Sequence, residues 1–122
     1  MTQDLEQAFV RIERLAKARG LPGVERGTSY GAPALKVKDK SFARLREKDV
    51  LVLLCPAEQK TLLMEISPAI YFETSHYVGH AAVLIHLDAI SDEELSLRLE
   101  DAWRHKGPKN AGETARRRLA SD

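Results

Sequence analysis

Basic side chains are concentrated in the middle of the chain, where apolar and polar residues alternate. Residues 36–48 hold six basic and two acidic side chains, a local net charge of +4. Lysine and arginine at this density can neutralise phosphates and displace their condensed counterions. An aromatic ring among them can stack on a base. The segment is therefore a candidate nucleic-acid site, with five candidate residues: Lys36, Lys38, Phe42, Arg44 and Arg46.

The turn of the hairpin decides which of these side chains share a face. If the loop is Lys38-Asp39-Lys40, then Leu35 lies opposite Ala43, and the candidate residues, Phe42 included, lie together on the outer face. A two-residue turn would change the pairing and return Phe42 to the core. The alternative interpretation of the whole face is a solvated surface whose lysines discourage edge pairing.

A second basic cluster lies near the C-terminus. Residues 104–118 carry a net charge of +5, although the whole chain has a net charge of only +1. A flexible basic arm would add salt-dependent affinity for polyanions; the alternative is a solubilising tail. We predict one domain over residues 1–109 and a flexible basic tail over residues 110–122.

Three histidines are candidate metal ligands, because His76 and His80 are four residues apart and His86 follows. Zinc requires three or four ligands arranged around a tetrahedron. Gly79 interrupts any helix that would align the first two histidines, and no known metal-ligand spacing is present. The sequence therefore predicts neither a metal nor another cofactor.

The sequence contains no pattern typical of nucleophilic catalysis or of a phosphate-binding glycine loop. His76 and Tyr77 could act as general acid and base near Glu73, since imidazole titrates near neutral pH. The competing interpretation is a loop in which Tyr77 packs over the sheet. We therefore expect a non-enzymatic protein with no catalytic residues.

The periodicity of apolar residues changes twice along the chain and predicts an α+β fold. The predicted elements are a helix over Asp4–Arg19, three strands between Ala34 and Leu54, a helix over Ala57–Ile66, strands at Tyr71–Thr74 and Ala82–Leu87, and a helix opening at Ser91. Helices on one face of an antiparallel sheet of about five strands would form a two-layer sandwich.

Composition sets the cellular context that we expect. The chain has 122 residues, 43% of them hydrophobic, and a single cysteine, Cys55. This length fits one domain, and one thiol suits a reducing compartment. The sequence contains neither a signal-peptide pattern nor an apolar run of about 20 residues. We predict a cytoplasmic monomer without membrane contact.

Several motifs agree in order with one known family. They are Leu21–Val37, Phe42–Leu45, Phe72–Gly79, Val83–Leu87, Ala102–Arg104 and Pro108-Lys109. Together they resemble the MmcQ/YjbR family of small bacterial proteins over residues 5–109. The resemblance implies a frataxin-like or double-wing α+β fold and a DNA-binding or regulatory function.

The motifs that carry this resemblance also hold four polar-tipped aromatic residues and one cation: Tyr30, His76, Tyr77, Trp103 and Lys109. If they meet at one end of the sheet, they would form a concave pocket with a few directed polar groups. The sequence therefore supports two hypotheses. The first is DNA binding through the basic hairpin, and the alternative is small-molecule binding, or an enzyme, at this pocket.

Overall fold

The computed structural model describes residues 2–106, and side chains from Leu5 to His105. The described elements are α1 (Thr2–Ala18), β1 (Val24–Ser29), β2 (Ala32–Val37), β3 (Lys40–Glu47), β4 (Val50–Leu54), α2 (Ala57–Ile66), β5 (Tyr71–Phe72), β6 (Ala82–His86) and α3 (Asp92–Lys106). A single 3-10 turn, Ser75–Tyr77, lies between β5 and β6. Lys109 and the predicted tail over residues 110–122 lie outside the described residues.

The strands form one antiparallel sheet of six strands in the order β1-β2-β3-β4-β6-β5. The first four strands follow one another as hairpins, because the connections between them are too short for a crossover. β6 then pairs with β4 and leaves β5 at the edge. The α+β class is confirmed.

The main core lies between the helices and one face of the sheet. Apolar side chains repeat every three or four residues along α1, so Phe9 and Ile12 are fully buried against the sheet. Leu95 and Leu99 of α3 join the same core, and Leu63 of α2 packs against it. The predicted two-layer arrangement is therefore observed.

Predicted caps define two helix ends. Gly20 has φ +64° and follows α1, where its N–H donates to the carbonyl of Lys17 at 2.9 Å. Ser91 precedes α3, and its hydroxyl accepts a hydrogen bond from the N–H of Glu94 at 3.1 Å. α1 thus ends one residue before the predicted Arg19, and α3 begins directly after its predicted cap, Ser91.

Ion pairs join α1 to α3 across the surface of the helix layer. Arg11 and Arg14 donate to Asp92, and these hydrogen bonds lower the pKa of that carboxyl group below its ordinary 3.8. Arg19 donates to Glu100 at 2.6 Å in the same way. The cations and carboxylates of this layer therefore largely satisfy one another.

The sequence did not predict β1, so the expected count of about five strands was one too low. This edge strand reads Val-Glu-Arg-Gly-Thr-Ser, contains only one strongly apolar residue and lies mostly exposed. Alternation is a weak signal in such a strand, because little of it faces a core. Its pairing with β2, from Val24 with Val37 to Ser29 with Ala32, shows its place in the sheet.

The expectation that Phe42 lies exposed on the outer face is wrong. The turn consists of two residues, Lys38 and Asp39, with φ values of +52° and +65°. Leu35 nevertheless pairs with Ala43, because Phe42 is an extra residue in a β-bulge. The bulge turns its ring toward the helices, where only 1% of the residue is exposed. Phe42 is therefore a core residue.

No helix among residues 2–106 is both long enough and apolar enough to cross a membrane.

Candidate functional site

The outer face of the sheet, defined as the face opposite α1 and α3, has two different halves. Over β4 and β6 it is apolar: Val50, Val52 and Leu84 are buried beneath Phe72 and Tyr77. Over β1, β2 and β3 the alternating positions carry mostly small side chains, together with two cations and one carboxylate: Glu25, Gly27, Ser29, Ala32, Ala34, Lys36, Ser41 and Arg44. The boundary between these halves is the candidate site.

The cations of residues 36–48, which we call the basic hairpin, are without carboxylate partners. None of its six Lys and Arg side chains forms an ion pair within 4.0 Å in the part of the chain that the structure describes. Among the other described Lys and Arg side chains only Lys17 shares this property. The unneutralised positive charge of residues 5–105 is therefore concentrated on the basic hairpin.

Lys36, Lys38 and Arg46 occupy different positions on this hairpin. Lys36 lies on the outer face of β2, between Glu25 and Ser41 in the strand register. Lys38 is exposed in the turn, and Arg46 is the extra residue of a second bulge, between Leu45 and Glu47. Together with Arg44 they spread positive charge along the length of β3.

Arg44 is the point at which the basic hairpin meets the predicted aromatic residues. Its Nη2 donates a hydrogen bond of 2.6 Å to the hydroxyl of Tyr77. Its guanidinium carbon lies 5.2 Å from the centre of the Tyr30 ring, a cation–π distance. Two residues proposed for a pocket and one proposed for nucleic-acid binding thus form a single cluster.

Tyr30 occupies an unusual backbone conformation. It has φ +53°, and Gly31 after it has φ +78°, the pattern of a type I′ hairpin turn. Asparagine and glycine favour such turns, whereas a bulky residue there is strained. The residue is also 93% exposed. A strained, exposed aromatic residue is a frequent feature of binding sites.

A shallow groove of about 180 Å³ runs along the outer face beside Arg44. Its polar lining comes from Ser29, Ser41 and Arg44, and Tyr30 lies at its rim. Its far wall is apolar, formed by side chains of β4 and β6: Val52, Leu54 and Ala82. The groove therefore combines a cationic side with an apolar side.

Tyr77 is held over the sheet by Lys60, a residue that the sequence analysis missed. The Lys60 ammonium group is nearly fully buried and donates to the carbonyls of Tyr77 at 2.8 Å and His80 at 3.0 Å. It also forms an ion pair with Glu73 at 2.6 Å. All three partners belong to residues 73–80, which we call the cover segment. Lys60 therefore fixes the cover segment against the outer face.

A signal for Lys60 was present in the sequence. Lys60 precedes Leu63 by three residues and Met64 by four, so Lys60 lies on the apolar side of α2. A lysine at such a position needs partners for its buried charge.

Two other proposed pocket residues, Trp103 and His76, do not contact Arg44, although the His76 ring lies edge-on to that of Tyr77 with 4.9 Å between ring centres. Trp103 packs against the helix-side core, and its Nε1 donates to the carbonyl of Pro22 at 2.9 Å. His76 is exposed in the cover segment and stacks with His80 at 5.7 Å between ring centres. Lys109 lies outside the described residues. Of the four pocket residues that the structure describes, only Tyr30 and Tyr77 contact Arg44.

A larger cavity of about 340 Å³ lies on the helix side, between the end of α1 and β1. Its lining includes Arg26 and Glu13, which face each other at 3.8 Å. Arg26 is also paired with Glu6. Lys17 also lines this cavity without an ion-pair partner among residues 5–105, but the Glu13 carboxylate would repel an anion there. The cavity is therefore a weaker candidate for an anionic ligand than the groove beside Arg44, whose lining has no carboxylate.

Cys55 lies in the core rather than at a site. Burial raises the pKa of its thiol to about 11, so the group stays protonated and unreactive at neutral pH. Among residues 5–105, no three or more His, Cys, Asp and Glu side chains are grouped so that they could hold a metal ion.

The architecture defines a class of small α+β proteins that carry their helices on one face of an antiparallel sheet. The model of the YjbR family matches residues 19–105, from the end of α1 to the last turn of α3. The chain belongs to the YjbR family, which confirms the resemblance seen in its motifs. No curated protein and no solved structure matches the chain significantly.

Proposed function

We propose that the protein binds nucleic acid, preferentially single-stranded, through the outer face of β1, β2 and β3. The observation that carries this proposal is the concentration of unpaired cations on the basic hairpin beside the exposed ring of Tyr30. Lys36, Lys38, Arg44 and Arg46 would contact phosphates. Tyr30, rather than the buried Phe42, would stack on a base.

A preference for single strands follows from the position of Tyr30. An aromatic face stacks on a base only where that base has left its own stack, as in a single strand. The cover segment also occupies the outer face over β4 and β6. The remaining surface is three strands wide, about 14 Å at the usual strand spacing. A single strand lying along β3 would fit this width.

Binding should be tested by fluorescence anisotropy with a labelled oligothymidylate and a duplex of equal length, over a series of salt concentrations. We expect weak binding at about 50 mM salt, stronger for the single strand. Each phosphate contact to a single strand contributes about −0.7 to the salt slope. Replacing Lys36, Lys38, Arg44 and Arg46 by alanine should therefore flatten the slope by up to about 3.

Lys17→Ala is the matched control for Lys38→Ala, because both lysines are exposed and have no carboxylate partner among residues 5–105. They lie in different elements, Lys17 on α1 and Lys38 in the turn between β2 and β3. We expect only Lys38→Ala to weaken binding. If both variants weaken it equally, or if the quadruple variant binds as the parent does, the proposal is wrong.

A further inference from the structure

We infer that the groove beside Arg44 is a subsite for one phosphate monoester that also carries an aromatic ring, such as a nucleoside monophosphate. The phosphate would lie on Arg44 and the ring on Tyr30. This inference rests on the proposed function, because it names the unit of nucleic acid that the site recognises. It also predicts that the isolated unit binds by itself.

The hydrogen-bond donors of Arg44 point to an anion. A guanidinium group has five N–H donors, and in the described part of the chain only one bond of Arg44 is formed, to Tyr77. Tyr77 accepts that bond, so its own O–H remains available to donate. The groove lining contains no carboxylate. The site is therefore rich in donors and lacks a negative partner.

The shape of the donor set favours phosphate over carboxylate. A carboxylate offers two coplanar oxygens, which a single guanidinium fork can satisfy. Here the hydroxyls of Ser29 and Ser41 also line the groove, and neither is hydrogen-bonded within residues 5–105. Three donor-bearing side chains around one groove suit the tetrahedral oxygens of a phosphate, of which a monoester exposes three and a diester within a strand exposes two.

The surroundings of Arg44 favour a ligand that contains a flat ring as well as a phosphate. Tyr30 presents an exposed ring 5.2 Å from the guanidinium carbon, and Val52, Leu54 and Ala82 form an apolar wall opposite. The volume of about 180 Å³ is below the roughly 300 Å³ at which drug-sized pockets begin. One phosphate with part of its sugar or base fits, whereas a dinucleotide cofactor does not.

The test is titration of the full chain with adenosine monophosphate, adenosine and inorganic phosphate, followed by amide chemical shifts. We expect the monophosphate to shift residues 29–31, 41–44 and 77, and to bind more tightly than either part alone. Arg44→Ala should weaken it at least about tenfold, the usual effect of losing charge-assisted hydrogen bonds. Arg44→Lys, which keeps the charge without the fork, should also weaken it. Lys17→Ala, which removes an exposed cation on α1 away from the groove, should change it less than about twofold.

The outcomes separate this inference from the proposed function. If the oligonucleotide binds but the monophosphate does not shift the groove residues, the subsite is wrong and the proposed function stands. If the monophosphate binds at the groove and no oligonucleotide binds, the subsite stands as a small-molecule site and the proposed function fails. Equal affinity for adenosine and its monophosphate, or unchanged affinity in Arg44→Lys and Arg44→Ala, would overturn the phosphate assignment.

Discussion

Arg44 of β3 donates a hydrogen bond of 2.6 Å to the hydroxyl of Tyr77, a residue 33 positions further along the chain. This bond joins the basic hairpin to the cover segment. It therefore crosses the boundary between the cationic and apolar halves of the outer face. Loss of the bond should lower both the free energy of unfolding and the affinity for the ligand.

Tyr77→Phe removes the hydroxyl while the ring keeps its packing on Val50, Val52 and Leu84. We expect the free energy of unfolding to fall by about 1 kcal/mol, the usual net contribution of one hydrogen bond. Affinity for adenosine monophosphate should fall several-fold. Urea denaturation and titration measure the two effects. Tyr71→Phe, which removes a hydroxyl bonded to Glu94 on the helix side, is the control that should leave the monophosphate affinity unchanged.

Tyr30→Asn should make the protein more stable and a poorer binder. Asparagine tolerates the positive φ of a type I′ turn better than tyrosine does. A non-glycine residue held in the left-handed region costs about 1–3 kcal/mol, and asparagine should relieve part of this cost. Loss of the ring removes the proposed stacking surface. Thermal denaturation and oligonucleotide anisotropy should therefore change in opposite senses.

Tyr30→Phe is the control for that substitution, because phenylalanine keeps both the ring and the strained backbone. We expect neither stability nor oligonucleotide affinity to change by more than experimental error. A Tyr30→Asn protein that binds as well as the parent would show that the exposed ring has no part in recognition.

Lys60→Met should release the cover segment. The substitution leaves two carbonyl groups without their donor and the Glu73 carboxylate, whose side chain is 29% exposed, without its partner. Removing one member of a fully buried ion pair costs about 3–5 kcal/mol. Because Glu73 retains some water, we expect about 2–3 kcal/mol in urea denaturation.

Hydrogen exchange should locate the effect of Lys60→Met in residues 73–80. Lys48→Met, in the exposed turn between β3 and β4, is the matched control and should change stability by less than about 0.5 kcal/mol. If exchange accelerates uniformly through the sheet instead, Lys60 supports the whole fold rather than the cover segment.

Stability should fall in alkaline solution because of Cys55. Burial raises the pKa of its thiol from the ordinary 9.0 to about 11, so the folded state holds this proton more tightly than the unfolded state. The stabilisation is complete below pH 9 and is lost as the pH rises to about 11. Burial and the hydrogen bond to Glu94 raise the pKa of Tyr71 in the same direction.

Cys55→Ala removes one of these two protons, so its free energy of unfolding should decline less steeply between pH 9 and 11. One proton corresponds to a slope of at most about 1.4 kcal/mol per pH unit. The comparison is between slopes, because the smaller side chain lowers stability at every pH. Identical slopes would show that Cys55 does not carry this linkage.

Much of the fold was predictable because most of its helices and strands have one apolar side and one polar side. Local patterns indicate the structure of α1, of the start of α3 at Ser91, and of β2 and β3. Each of these local structures is present in the fold. β1 escaped prediction because an edge strand has little contact with the core. The position of Phe42 was not predicted, because a bulge changes the face that a residue occupies without changing the composition of the strand.

The candidate site was only half predictable. The local excess of basic residues indicated the basic hairpin, and the family-like motifs indicated Tyr30 and Tyr77 as candidate pocket residues. Their meeting at Arg44 depends on the cover segment crossing the outer face, which in turn depends on Lys60. No local pattern encodes contacts between residues so far apart in sequence. Trp103 illustrates the converse, since it shares the motifs but lies in the helix-side core.

The strand order also predicts an order of assembly. β1 to β4 pair with their immediate neighbours in the chain, whereas β6 must return across α2 and β5 to reach β4. Closing short loops is faster than closing long ones. The four consecutive strands, and with them Arg44, should gain amide protection before β6 docks. Tyr77 arrives with that later step, so a folding intermediate would carry the cationic half of the groove without its cover.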